Sequence, residues 1–118
     1  MLFVPHLLPV NRGIVSTIYA HLKNGVTMEE IRKAYEKAYG EEYFVRVMGE
    51  GKVANLRNVK CSNFCDISLH MDERTNTLII VSAIDNMVKG AAGQAVQNMN
   101  ILFSLPEKTG LTMVPTSF

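Results

Sequence analysis

Residues 77–85 read TLIIVSAID, and between Leu78 and Ile84 no residue is charged and only Ser82 is polar. A strand points successive side chains to opposite faces, so a run that is apolar at both parities needs cover on both sides. Seven residues are too few for a core helix, and the β-branched content favours an extended chain. The run predicts a central, doubly covered strand. Just before it, CDISLHMD is a second strand pattern, with DERTN as the turn, so the two form a hairpin. The rest of the chain has to supply neighbours and cover for that pair.

GIVSTIYAHL, residues 13–22, alternates Ile14, Ser16, Ile18, Ala20 and Leu22 against Val15, Thr17, Tyr19 and His21, which predicts a strand half or fully buried. Asn24-Gly25 ends it. VTMEEIRKAYEKAYG is the clearest helix. Thr27 caps it and Glu30 completes a T-x-x-E box. Ile31, Ala34, Tyr35, Ala38 and Tyr39 form one apolar stripe, and Gly40 stands where a left-handed cap belongs. YFVRVM reads as a strand, GEGK as a turn, and VANLRNVKCSNF as a strand with a kink. LFVPHLLPVNRG reads as a short edge strand running into an irregular loop, limited by Pro5 and Pro9. A last helix is expected over about 88–103, with Ala92, Ala95, Val96, Met99, Leu102 and Phe103 as its apolar face. The sum is one α+β domain over 1–118: a mostly antiparallel or mixed sheet of five or six strands with two main helices.

A chain of 118 residues can bury about 65% of its unfolded surface, enough to fold without disulfides. The net charge of +1 comes from scattered bases, which argues against a nucleic-acid footprint. No apolar run is long enough to span a membrane, and no secretory leader pattern opens the chain. Cys61 and Cys65 suit a reducing cytoplasm. Their C-x3-C spacing, even with His70, falls short of the two close ligand pairs of a zinc site. A cysteine nucleophile needs a base or a helix N-terminus beside it, and the local sequence supplies neither. No metal site and no catalytic residue are therefore assigned.

Two stretches invite a ligand. In PHLLPVNRG, His6 and Arg12 share an irregular segment, and Arg12 has the fork geometry for a phosphate or carboxylate; a solvated arginine is the alternative. In DNMVKGAAGQAVQNMN, Lys89 and Gly90 fall at the start of the last helix, where free amides suit an anion. Gly90 and Gly93 leave room for close approach, and Gln94 offers both a donor and an acceptor. A ligand-facing helix and a helix packed closely inside the domain both fit these residues.

PHLLPVNRGI, DERTNTLIIVSAIDN and DNMVKGAAGQAVQNMN, with PEKTGL after them, resemble the C-terminal part of the N-acetyl-gamma-glutamyl-phosphate reductases. The resemblance runs along essentially the whole chain. Lys-Gly-Ala-Ala alone is also similar to aspartate-semialdehyde dehydrogenases. The resemblance implies the C-terminal fold of glyceraldehyde-3-phosphate and semialdehyde dehydrogenases. It further implies reduction of an acyl phosphate by NADP, a separate dinucleotide-binding domain, and a homo-oligomer in the cytoplasm. The family's Asn-Pro-Gly-Cys and His-Arg-His motifs and its glycine-rich fingerprint do not occur here. The chain therefore reads as a piece of such an enzyme, inactive alone, or as a non-catalytic dimerisation module. On the same resemblance, helix 88–104 faces the missing cofactor domain. Lys89, Gly90, Gly93 and Gln94 would then be cofactor-side residues, and Arg12 and His6 substrate-side residues.

Overall fold

The computed structural model describes residues 2–115, so Met1 and 116–118, the ends of the expected 1–118 domain, lie outside the described residues. The order is β1 (Ile14–His21), α1 (Met28–Tyr39), β2 (Val45–Val47), β3 (Cys65–Asp72), β4 (Thr77–Ile84) and α2 (Gly93–Leu102). A 3-10 turn, Leu56–Asn58, precedes β3, and a π-helical turn, Val88–Ala92, leads into α2. The fold is α+β, and the sheet is mixed with order β1-β4-β3-β2.

The β3–β4 hairpin forms as its pattern dictates, in antiparallel register from Asp72↔Thr77 to Cys65↔Ile84. β4 is central, and core lies on both of its sides. Leu78 and Ile80 join Ile31, Leu69 and Ile67 under α1. Val81 and Ala83 join Ala54, Val59 and Phe64 on the opposite side. This division follows from the two-residue period of the strand.

α1 starts on a complete capping box. The Thr27 hydroxyl accepts from Glu30 N, and the Glu30 carboxylate accepts from Thr27 N at 2.8 Å. Ile31 is buried and Tyr35 half-buried, but Ala34 and Ala38 are exposed, so the stripe is narrower than its period suggests. Gly40 ends the helix in the right-handed region at φ −60°, not the left-handed one; its N–H still reaches Glu36 O, so the last turn closes without a reversal.

Four further expectations change in the fold. Four strands form among the described residues, not five or six. No strand forms in 2–13, where Pro5 and Pro9 have no N–H to give a ladder. Residues 53–64 form the 3-10 turn and the crossover between β2 and β3, which pair in parallel through Val45↔Cys65. Parallel neighbours need such a crossover, and this one covers the Ala83 side of the sheet. β1 pairs with β4 along its whole length but is an edge strand, mostly exposed, with Ile14, Val15, Ile18 and Tyr19 open.

Candidate functional site

The end of β4 sets the site. Asp85 follows Ile84 and is fully buried. Its Oδ1 accepts from Met87 N at 2.8 Å and Val88 N at 3.1 Å, and its Oδ2 accepts from Cys61 N at 2.6 Å. Arg12 donates from Nη2 to Oδ1 at 3.0 Å, and its Nε lies 2.9 Å from Oδ2, an ion-pair contact off the hydrogen-bond angle. Arg12 Nη1 also donates to Cys61 Sγ at 3.4 Å. Burial pushes the Asp85 carboxyl up, but the bonds from Cys61, Arg12, Met87 and Val88 hold it below the usual carboxylate range. Next to it, Asn86 Oδ1 accepts from Gly13 N at 2.6 Å. Gly13 has φ +117°, and a Cβ there would sit 2.8 Å from Leu56 Cδ1.

The first amides of the terminal helix are thus bonded by the chain's own carboxylate. The expectation of free amides near Lys89 and Gly90 is corrected: Gly90 N donates to Asp85 O, and Met87 N and Val88 N to the side chain. The residue responsible is Asp85. An aspartate just before a helix is the signal that would have found it.

α2 packs the opposite way from its apolar periodicity. Gly93, Gln97 and Asn100 are its buried residues. Gln97 Oε1 accepts from Asn63 Nδ2 at 2.9 Å and from Lys89 Nζ at 2.6 Å, and Gln97 Nε2 donates to Glu107. Asn100 Nδ2 donates to the carbonyls of Glu107 at 2.9 Å and Thr109 at 3.0 Å. The Lys89 ammonium also lies 5.6 Å from the Phe44 ring centroid. Its burial lowers its pKa, against the pull of Cys65, Glu107 and Glu42. The expected apolar face looks outward, with Leu102 79% and Phe103 70% exposed and Ala92, Ala95 and Met99 also open.

Gly93 serves internal packing. A Cβ there would meet Asn63 Oδ1, and would lie 2.7 Å from Val88 Cγ1 and 2.8 Å from Val88 O. Gly90 is exposed, and a Cβ there would make ordinary contacts at 3.4–3.8 Å. Gln94 is half-buried and donates to Asn98 Oδ1 at 2.9 Å, on an exposed surface. His6 is exposed, with Nδ1 3.1 Å from Val4 O. Both cysteines are free thiols, and burial pushes Cys65 up. Among the described residues no His, Cys, Asp and Glu group could hold a metal ion, and no helix is long and apolar enough to cross a membrane.

A mixed sheet with one helix on its face, and a second helix that turns its apolar side outward, defines an α+β domain. The chain belongs to the semialdehyde dehydrogenase dimerisation-domain family, whose model matches residues 1–86. The match ends at Asn86, so the π-helical turn and α2 lie beyond it. Among curated relatives, a protein of Brachyspira hyodysenteriae named N-acetyl-gamma-glutamyl-phosphate reductase is 62% identical over 117 residues, 98% of this chain and 33% of that protein. Proteins of the same name from Clostridium kluyveri and Desulforapulum autotrophicum are 53% and 56% identical, over 98% and 96% of this chain and 34% and 33% of their own lengths. The chain therefore spans about a third of the length of these relatives.

Proposed function

We propose that this chain is part of an N-acetyl-gamma-glutamyl-phosphate reductase, an NADP-dependent cytoplasmic enzyme that converts an acyl phosphate to the semialdehyde and inorganic phosphate. In this reading the sheet region joins a second copy of the chain, and helix 88–104 lies against the cofactor-binding part of the longer protein. The outward apolar face of α2 carries the second half of the reading. Exposed leucine and phenylalanine on a helix fixed from beneath call for a covering surface.

The roles of the ligand-side residues follow from their surroundings. Gly90 is exposed and Gln94 half-buried at the surface, and they meet the cofactor, which supplies the hydride. Lys89 and Gly93 are engaged inside the domain, and they act by fixing the helix that presents the other two. Of the five N–H groups of Arg12, two are bonded and Nε is held against Asp85. The remaining two grip an anionic group of the substrate, with His6 on the same segment. The acyl-transfer step needs an activated nucleophile. Burial pushes the Cys65 thiol up despite the nearby Lys89, and Cys61 meets the Arg12 guanidinium, which is not a base, so in this reading that group comes from elsewhere in the longer protein.

The test is steady-state kinetics on the full-length protein with N-acetylglutamyl phosphate and NADPH. Turnover is expected there and only background with residues 1–118 alone. Gln94→Ala is expected to raise the KM for NADPH more than that for the acyl phosphate. A full-length protein that does not oxidise NADPH with this substrate refutes the reading.

A further inference from the structure

Asp85 does more than cap a helix. Capping needs only the amides of Met87 and Val88, yet the same carboxylate also takes Cys61 N and a guanidinium 73 residues away in sequence. Arg12 is held along its Nε/Nη2 edge, its Nη1 leans on Cys61 Sγ, and its side chain remains 24% exposed. A guanidinium fixed at that edge keeps one rotamer and leaves the outer N–H groups for an anion. The ordering cost is then met by the fold and not by the ligand. The backbone after Arg12 is pinned as well, through Gly13 N on Asn86.

We propose that Asp85 is a positioning residue for the reductase reaction: it aims Arg12 at the anionic substrate and, through Met87 and Val88, fixes the first turn of the helix that presents Gly90 and Gln94. Substrate side and cofactor side then depend on one buried carboxylate. The proposal rests on the reductase reading above and deepens it.

The test uses the full-length protein with Asp85→Asn, Arg12→Ala and the double variant. Asp85→Asn keeps the shape but loses the ionic hold on Arg12. The KM for the acyl phosphate is expected to rise about tenfold to a hundredfold, the range for misplacing a binding group by about 1 Å. In the Arg12→Ala background the same change is expected to add less than about twofold, because partners acting as a unit are not additive. Singles that multiply in the double variant, or a folded Asp85→Asn protein with wild-type KM, overturn the proposal. Should Asp85→Asn fail to fold, chemical rescue carries the test. Millimolar guanidinium is expected to restore acyl-phosphate turnover of Arg12→Ala saturably, because Asp85 holds the free ion, and absence of rescue overturns the proposal. A wild-type protein without acyl-phosphate-dependent NADPH oxidation overturns the reductase reading itself, and this proposal with it.

Discussion

Gly93→Ala separates internal packing from ligand approach in one substitution. On an open helix the change stabilises by about 0.5–1 kcal/mol, through lower entropy of the unfolded chain. Here the added methyl lands on Asn63 Oδ1 and within 2.8 Å of Val88 O, which is backbone and cannot swing aside. Overpacking of this kind costs about 1–3 kcal/mol. Asn63 cannot retreat freely either, because its Nδ2 is bonded to the buried Gln97. The net is a loss of about 1–2 kcal/mol, which at an unfolding entropy of about 2.1 cal/mol/K per residue lowers Tm by about 4–8 °C. Gly90→Ala is the control. Its methyl would lie no closer than 3.4 Å to the side chains and backbone packed around that turn, so its effect should be neutral or stabilising by up to about 1 kcal/mol. Urea and thermal unfolding of both variants decide the matter. A Gly93→Ala chain as stable as wild type, or more so, refutes the packing argument and returns the glycine to the ligand.

Acid should unfold the domain partly through Asp85. Its folded carboxyl titrates below the ordinary range, so the stability it supplies is complete above about pH 4 and is lost as pH falls through the folded value. Asp72 and Glu30 shift in the same direction. Asp85→Asn should therefore flatten the fall of Tm with acid, and an unchanged slope between wild type and variant would contradict the assignment. Thr27→Ala removes the cap of α1 and should cost about 1 kcal/mol, seen as faster amide exchange in its first turn; exchange at the wild-type rate would count against the capping box. Leu102→Ser on the outward face of α2 should change the stability of the isolated chain by less than about 0.5 kcal/mol. The same change should reduce self-association of the chain and destabilise the longer protein, as unfolding and light scattering would show.

What the sequence disclosed was whatever local rules decide. The capping box of α1 is closed by residues three apart, so Thr27 and Glu30 announce it without help from the rest of the fold. The β3–β4 hairpin is equally local: a turn between two strand patterns fixes its own register. YFVRVM announced strand β2 correctly, but its parallel pairing with β3 depends on a crossover that no short window contains. The N-terminal segment misled for a related reason. Its leucines look like a strand, but its prolines and the absence of a ladder partner leave Leu7 fully exposed.

The terminal helix shows why the site was only half legible. Periodicity reports that a helix has two faces; it does not report which one turns inward. Here the amide face turns in, because Gln97 and Asn100 find fixed partners in Asn63, Lys89 and the carbonyls of Glu107 and Thr109. Buried amides are tolerated only when they are bonded, and those bonds tie the helix to a single orientation more firmly than an apolar contact would. Asp85 fixes its first turn in the same way, from the end of β4. A helix whose inner face is bonded at both ends can hold an apolar outer face still and ready for another body. The glycines and amides of KGAAGQAVQN are therefore explained first by the seating of the helix. Gly90 and Gln94 are absent from the buried face, and the proposed cofactor role rests on them.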